Sequence, residues 1–395
     1  MNARPGNPEL RCSVLLVFLL ILCGVTTSRA RVLDLQGQAS AWFAAAKTDS
    51  LRAACGARYI PSLGVELPVT QTLMIDAEIS CNAYGYLEGI RSVQDYDSSD
   101  YAIDPYRLWA RVSGSQFELR GGLQKISFGS ATIFRPLMWF DQIDVRDPLR
   151  ITEGVYAMLF RYYFLNNMNI WMWGLYGNEE VKGWEAYPTD SGNVEYGGRV
   201  QIPLFSGECG VSYHHRNASL SDISLDPVPE SRIGVDGKWD VGVGLWLEGA
   251  VVRTDLSGIP EAFLQQYPLL RLDYQRYICA GLDYTFGIGN GVYALVEHFL
   301  TDLSDEAWGS TNESQQLSAV SLRYSIGTLD ELSGVVYYDW DKEEIYRYGK
   351  WTRTYDRWMI NLIGFWNPEA ALYDRSDSYN TLLGRGIQLI IAYNH

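Results

Sequence analysis

Apolar and polar residues alternate along much of this chain. In residues 73–84 the odd positions are apolar or small, whereas the even positions are mostly polar. The odd face is Leu73, Ile75, Ala77, Ile79, Cys81 and Ala83. The same two-residue period returns in 195–202 and 275–286. A period of two belongs to a β-strand and not to a helix. The sequence therefore predicts strands with one apolar and one polar face, which suits a wall between lipid and water.

Short and long connections alternate between these predicted strands. Residues 114–115, 165–167 and 287–291 are short turns of the kind that hairpins need. Longer polar segments lie between the hairpins, at 88–104, 179–193, 218–230, 255–272 and 302–314. This rhythm is typical of a transmembrane antiparallel β-barrel, which has short turns at one end and long loops at the other. We expect an all-β fold.

The alternation indicates the type of these elements and leaves their number open. The pattern marks about 16 or 17 candidate strands, and a bacterial single-chain barrel usually has an even number. We therefore expect about 16 strands, with 14 and 18 as alternatives. The doubtful region is 340–380, where Trp358 to Trp366 has the pattern of a strand but its partners are unclear. A single barrel over residues 31–395 is expected, without a second domain.

The first residues have the pattern of a signal peptide. Arg4 and Arg11 precede an apolar core that runs from Val14 to Val25, and Ser28-Arg29-Ala30 offers small residues where a signal peptidase cleaves. We expect residues 1–30 to be removed. Leu22 stands before Cys23 where a lipoprotein signal has a small residue, which disfavours lipidation. No later stretch reaches the ~20 consecutive apolar residues of a membrane helix.

Composition and charge narrow the class of protein. The chain has 27 Tyr, 13 Trp and 37 Gly, an aromatic excess that suits the girdles of a membrane barrel. A soluble secreted all-β protein is the alternative. The formal net charge of −15 argues against nucleic acid as a partner, because phosphate binding needs a basic surface.

Neither the cysteines nor the histidines form a metal or catalytic pattern. Four cysteines follow the predicted cleavage site, and none of them belongs to a CxxC pair: Cys55, Cys81, Cys209 and Cys279. His214 and His215 are adjacent and therefore point to opposite faces of a strand. HExxH, GxSxG and phosphate-binding motifs are missing from the sequence. We expect no metal, no cofactor and no enzymatic activity.

Arginines collect on the polar faces of neighbouring strands. On the alternation pattern, five of them point inward together with Glu118: Arg107, Arg111, Arg120, Arg161 and Arg199. The segment 131–150 links two of these strands and is unusually apolar for an exposed loop, since it contains Phe134, Leu137, Met138, Trp139 and Phe140. We expect it to fold into the barrel, where Asp141, Asp144 and Asp147 would lie opposite the arginines and create a field across the constriction.

In these features the chain resembles porins and porin-like outer-membrane channels. The residues that carry the resemblance are Leu119-Arg120-x-Gly122-x-Gln124, Phe128-Gly129 and the inserted segment that ends at Asp147-Pro148. The resemblance implies passive diffusion of small hydrophilic solutes across the cell outer membrane. It also implies contact with outer-membrane lipid, and it leaves open a homo-oligomer.

Two alternatives remain at this point. A non-conducting structural or adhesive barrel would show the same inward charges, because buried charges need partners. An outer-membrane hydrolase is the less favoured alternative. The last strand, with Ile387, Leu389, Ile391 and Tyr393 on one face, resembles the signal read by the outer-membrane assembly machinery, although it ends in His395 and not in Phe.

Overall fold

A computed structural model describes residues 32–48, 50–90, 96–221, 225–259, 273–307, 309, 313–368 and 384–395. The predicted signal peptide lies outside these residues and stays a prediction. Four of the eighteen strands, β1–β4, are long: β1 (Val32–Lys47), β2 (Leu51–Pro68), β3 (Met74–Ile90) and β4 (Tyr96–Ser113). The next seven are β5 (Phe117–Gln124), β6 (Val155–Tyr163), β7 (Asn169–Tyr176), β8 (Val194–Leu204), β9 (Gly207–Ala218), β10 (Val228–Asp240) and β11 (Gly244–Thr254). The last seven are β12 (Tyr274–Phe286), β13 (Val292–Ser304), β14 (Glu313–Ser325), β15 (Asp330–Asp339), β16 (Glu344–Thr354), β17 (Trp358–Trp366) and β18 (Arg385–Asn394).

The strands form one closed antiparallel barrel. Each strand pairs with its neighbour in sequence, and β1 pairs with both β2 and β18. The closing register sets Ala39 opposite Tyr393 and Trp42 opposite Ile390. At the end of this seam, Gly37 and His395 exchange two backbone hydrogen bonds of 3.0 Å. Closure satisfies the backbone of every wall strand, which is the condition for a β-structure that lies in lipid.

The count of 18 strands falls at the upper end of the predicted range, above the expected value of about 16. Trp358–Trp366 is a strand as the sequence predicted, and it pairs with β16 and β18. The polar segment 88–104, in contrast, is not a loop, because β3 continues to Ile90 and β4 begins at Tyr96. Residues 99–101 and 103–105 of β4 are exposed, so both faces of the strand meet the same solvent there and a two-residue period does not mark it.

The alternation of the sequence gives the wall two different faces. On β12, Ile278 and Leu282 are exposed on the outside, whereas Tyr277 and Cys279 are buried on the inside. The odd face of residues 73–84 likewise points outward, with Asp76, Ser80 and Asn82 buried inside. The outside is therefore apolar. The inner face carries buried polar side chains such as Asp76 and also a buried apolar cluster that includes Phe299 and Tyr337. Among the described residues, no helix is long and apolar enough to cross a membrane.

The two ends of the barrel differ as predicted. At one end, short turns connect the strands: 69–73, 114–116, 164–168, 205–206, 241–243, 287–291, 326–329 and 355–357. The longest connections lie at the other end, and the most extensive is residues 125–154 between β5 and β6, which we call the inserted loop. Residues 177–193 connect β7 and β8, and we call them the second loop.

Candidate functional site: a polar passage beside the inserted loop

The inserted loop folds into the lumen, as the sequence predicted. Its apolar side chains are almost wholly buried: Ile126, Ile133, Phe134, Leu137, Met138, Trp139 and Phe140. Phe134 stacks on Phe299 of the wall at a ring-centroid distance of 5.1 Å, and Phe128 stacks on Trp173 at 5.5 Å. These contacts remove from water a patch that would be adhesive on an exposed loop.

Two wall carboxylates hold the backbone of the inserted loop. Glu248 on β11 accepts hydrogen bonds from the amides of Ser130, Ala131 and Leu137, at 2.6, 2.8 and 2.6 Å. Glu297 on β13 accepts bonds from the amides of residues 132, 133 and 134, at 2.6 to 3.0 Å. A fourth donor to Glu297 is the indole of Trp246, at 3.0 Å. Charge-assisted bonds of this kind are stronger than neutral ones, so the loop is firmly seated.

The second loop packs against both the inserted loop and the inner face of the wall. Its Trp184 packs on Phe299 and Tyr277 of the wall, with ring centroids 5.5 and 5.6 Å apart. The Trp184 indole donates a 2.9 Å hydrogen bond to the carbonyl oxygen of Arg135 in the inserted loop. Gly183 has φ +53°, and a Cβ there would overlap the carbonyl oxygen of Met138. The two loops therefore pack as one unit, and this contact requires glycine.

Buried ion pairs complete this filled half of the lumen. Arg216 on β9 and Arg232 on β10 share the carboxylates of Glu185 and Glu230, with N–O distances from 2.6 to 3.4 Å. His214 lies nearby, where it accepts from the Trp173 indole at 3.2 Å and bonds Glu195 at 3.1 Å. Such charges persist in a dry interior only because each has a partner.

A cavity of about 130 Å³ remains on the opposite side of the lumen. It lies between residues 142–153 of the inserted loop and the inner faces of β1, β2, β3 and β18. Its lining is rich in charged, amide and hydroxyl groups: Ser40, Arg58, Asn82, Gln142, Asp144, Asp147, Thr152, Glu153 and Gln388. Three acids of the loop thus face a wall that carries one cation, Arg58.

The two lining aspartates differ in their partners. Arg146 holds Asp144 through Nε at 2.8 Å and also donates to the Tyr348 hydroxyl at 3.2 Å. Asp147 accepts hydrogen bonds of 2.9 Å from the backbone amides of Leu149 and Ile151. Burial raises the pKa of Asp147, and the amide bonds and the charge of Arg58 only partly oppose this rise. Asp147 therefore protonates more readily than an ordinary aspartate.

Asp141, the third predicted acid of the loop, pairs within the loop itself. Arg135 binds it with both guanidinium nitrogens, one of them at 2.9 Å. Burial alone would raise the pKa of Asp141, but the bonds and the charge of Arg135 outweigh burial and lower it. Arg135 has a positive φ of 50°, which turns the chain back so that residues six apart in sequence can meet. Asp141 therefore fixes the shape of the loop.

Three of the five predicted arginines surround Glu118 near the short-turn end of the barrel. The carboxylate oxygens of Glu118 lie 3.4, 2.9 and 3.7 Å from the nitrogens of Arg111, Arg120 and Arg161. Arg111 also binds Asp76 on β3. Arg120 lies over the ring of Trp109 at 4.7 Å, and Arg161 lies over Trp171 at 3.9 Å. This cluster has three cations and two acids and keeps part of its surface open.

The other two predicted arginines make buried contacts. Arg107 donates a 3.0 Å hydrogen bond to the carbonyl oxygen of Thr152, at the returning end of the inserted loop. Arg199 binds Asp236 on β10 with both nitrogens, and Asp236 also accepts from the Ser130 hydroxyl at 2.9 Å. Both arginines thus support the inserted loop from the wall.

Sequence reasoning missed the wall side of the passage. Ser40, Trp42, Arg58 and Gln388 line the cavity from β1, β2 and β18. The alternation of residues along β1 and β2 could have identified the lining residues of these two strands, because Ser40, Trp42 and Arg58 fall on the inner face. In the structure Trp42 is paired with Gly56, and Ser40 is paired with Arg58. Pairing β1 with β18 could not be inferred from local pattern, because the two strands lie at opposite ends of the chain. Among the described residues, no cluster of His, Cys, Asp or Glu is arranged to hold a metal ion.

Comparison with known proteins finds the same fold in solved structures. No protein-family model and no curated protein sequence matches this chain. Solved structures do match over nearly the whole chain. The structure of OccK2 (OpdF) from Pseudomonas aeruginosa is similar with a TM-score of 0.58 and 10% identity, covering 92% of this chain and 97% of that one.

Two further structures give the same picture. OccK7 (OpdD) from Pseudomonas aeruginosa has a TM-score of 0.54 and 14% identity, covering 92% of this chain and 99% of that chain. OccAB1 from Acinetobacter baumannii has a TM-score of 0.54 and 9% identity, covering 92% and 95%. At these identities the likeness shows the shared fold.

Proposed function

We propose that this protein is a channel of the cell outer membrane through which small hydrophilic solutes diffuse passively. The observation that carries the proposal is the polar cavity between residues 142–153 and the inner wall of β1–β3 and β18. A closed wall with an apolar outside and a polar lumen is how β-barrels conduct solutes across a membrane. Diffusion along a gradient requires no cofactor and no energy source.

The charged residues of the lumen divide into two roles in this proposal. Asp144 and Asp147 of the inserted loop, with Arg58 opposite, set the field of the narrow part. Arg111, Arg120 and Arg161 with Glu118 line the water path at the short-turn end. We assign Arg107, Arg199 and Asp141 to the support of the inserted loop, since their hydrogen bonds join the loop to the wall or to itself.

A non-conducting structural barrel is the second candidate. The inserted loop and the second loop pack against β6–β16. This packing favours a non-conducting barrel, because a continuous cluster of buried side chains fills this half of the lumen. The cavity beside residues 142–153 is the feature that this candidate leaves without a role. Lipid and the outer-membrane assembly machinery are the proposed partners of either barrel, and small hydrophilic solutes are partners of the channel alone. The proposal also includes a homo-oligomer.

A hydrolase has weaker support. Two Ser–His pairs lie on the outer wall, His215 with Ser231 and His298 with Ser318, both at 2.9 Å. A Ser–His hydrolase needs a third group to orient the histidine. In the part of the chain that the structure describes, no carboxylate is hydrogen-bonded to either ring.

The passage can be tested by solute flux into proteoliposomes. We expect the refolded barrel to admit small sugars, with a rate that falls as the sugar becomes larger. In Asn82→Cys, a charged thiol reagent should reduce flux about twofold or more, because residue 82 lines the passage. The wild type, which has its own cysteines, is the control for the reagent.

Two results would count against the proposal. A wild-type barrel that is folded and inserted but admits no sugar would favour the non-conducting candidate. Flux that persists unchanged after modification of Asn82→Cys would place the path elsewhere in the lumen.

A further inference from the structure

A row of cationic side chains crosses the outer face of the wall at the long-loop end. Lys47 on β1 is paired with Arg385 on β18, Arg385 with Trp366 on β17, and Trp366 with Arg347 on β16. Directly paired residues of antiparallel strands point to the same face, with Cβ atoms about 5 Å apart. All four side chains are exposed. They therefore stand side by side on the outside of the barrel, and we call them the cationic row.

Trp366 lies between the two arginines of the row. The guanidinium groups of Arg385 and Arg347 lie 4.2 and 5.8 Å from the centre of the Trp366 ring. Within the described ranges, Lys47, Arg347 and Arg385 form no ion pair. A different arrangement occurs on β12, where Arg276 is paired with Asp302 of β13 at 2.5 Å. The row thus presents three positive charges that described carboxylates do not neutralise.

The height of the row matches the edge of a membrane. Strand β17 has 9 residues and begins at Trp358. At a rise of about 3.3 Å per residue and a tilt of about 40°, it spans roughly 23 Å, close to the roughly 25 Å apolar band of such barrels. Trp358 packs on Tyr393 at the short-turn rim, with ring centroids 4.7 Å apart. Trp366 and its flanking arginines therefore lie at the headgroup level of the other leaflet.

A shallow trough lies directly below the cationic row. The next outward positions toward the membrane centre are Gly364 on β17 and Gly349 on β16, which are paired, and Gly349 is paired with Gly334 on β15. A Cβ on Gly349 or Gly364 would have no atom within 4 Å, so this backbone is open to the lipid. The exposed side chains of Ile387 and Leu322 bound the trough on either side.

We propose that the cationic row binds the phosphate groups of a lipid in the surrounding leaflet, and that one acyl chain of this lipid lies in the trough. Arginine forks match phosphate oxygens, and tryptophan favours the interface between water and hydrocarbon. The glycine strip leaves open space for a hydrocarbon chain next to these charges. This proposal requires that the barrel lies in a membrane, but it does not require that the lumen conducts.

Lipid binding to the intact barrel in detergent, followed by native mass spectrometry, tests the proposal. The probe is lipid A with both phosphates, and dephosphorylated lipid A is the comparison. We expect the wild type to retain the phosphorylated form and R347Q/R385Q to retain about tenfold less. The matched control, R253Q/R276Q, removes two guanidinium groups from the same rim and should bind like the wild type. Gly349→Leu should weaken retention of lipid A by filling the trough.

Each other result would overturn the proposal. Equal retention by R347Q/R385Q and the wild type would show that the row does not bind lipid phosphate. An equal loss in R253Q/R276Q would show a general effect of rim charge. Displacement of lipid A by millimolar inorganic phosphate, with no effect of Gly349→Leu, would reduce the row to a free-phosphate site. A conductance recording on the same variants separates this outcome from a failure of the channel proposal.

Discussion

Asp147 is an acidic residue that lines the passage and whose pKa is raised by burial. Its carboxylate organises the returning end of the inserted loop through the amides of Leu149 and Ile151, and it also lines the cavity. Because burial favours the neutral form, its pKa lies above that of an ordinary aspartate. The charge of the passage should therefore respond to mild acid.

We predict that Asp147 controls the pH dependence of ion selectivity. A carboxyl with a raised pKa loses its charge at a higher pH than a solvated one, so cation preference should fall as pH decreases through that raised value. Asp147→Asn should shift the reversal potential toward anion preference at neutral pH and should flatten this pH dependence. Reversal potentials in a salt gradient at several pH values provide the measurement.

The control for this prediction is Glu180→Gln, which removes an exposed acid of the second loop. It should leave the reversal potential unchanged. R120A/R161A, which removes two cations of the Glu118 cluster, should move selectivity in the opposite direction, toward cations. If Asp147→Asn keeps the wild-type potential at every pH, Asp147 does not face the permeating ions.

The sequence predicted which charged residues point into the lumen better than it predicted which of them form ion pairs with one another. The alternation placed Arg111, Arg120 and Arg161 on the inner face with Glu118, and in the structure these side chains lie together. The partners of Asp141 and Asp144 were beyond reach, because they are Arg135 and Arg146 of the same loop. Which loop residues meet depends on turns such as the one at Arg135, whose positive φ no pattern of apolar positions indicates.

At the scale of elements, the inserted loop is held more by its backbone than by its charged side chains. Glu248 and Glu297 together accept hydrogen bonds from six of its amides. A loop without helix or strand has many amides to satisfy, and two carboxylates supply the acceptors that secondary structure would otherwise provide. The seat of the loop is therefore built into β11 and β13.

We predict that Glu297→Gln loosens the inserted loop. An amide side chain keeps one acceptor oxygen but points an NH₂ group at backbone donors, which leaves buried amides unsatisfied. The free energy of unfolding should fall by about 1–3 kcal/mol, and protease should cleave within residues 125–154 faster. Denaturant titration and limited proteolysis of the folded barrel are the measurements.

Glu208→Gln is a suitable control, because Glu208 is an exposed acid at the start of β9, beside the short turn 205–206. It should change neither stability nor cleavage. Equal cleavage rates in Glu297→Gln and the wild type would mean that aromatic packing alone, such as Phe134 on Phe299, seats the loop.

Strands were easier to predict than the borders between strands and loops. The alternation of Trp358–Trp366 predicted β17 with its observed bounds, because each of its faces meets one solvent. Residues 88–104 were predicted to be a loop, but they contain the ends of β3 and β4. Residues 99–101 and 103–105 are exposed, so alternation does not mark this part of the strand. Periodicity carries information only where the two sides of a wall differ.

On the scale of the whole molecule, the lumen is asymmetric. The inserted loop, the second loop and the ion pairs of β8–β10 fill one side, and the passage follows β1–β3 and β18. The sequence predicted the inward loop from its apolar residues but not the side on which the passage lies. That side is fixed by the long-range pairing of β1 with β18 and by the anchors on β11 and β13.

Single-channel conductance of the refolded barrel, residues 31–395, in a planar bilayer tests whether the lumen conducts. A passage this narrow predicts stepwise openings on the order of a nanosiemens or below, with a reversal potential in a salt gradient that Asp147→Asn shifts. A barrel whose folding is verified by heat-modifiable migration, and which inserts without any conductance step, would contradict the account and show a closed lumen.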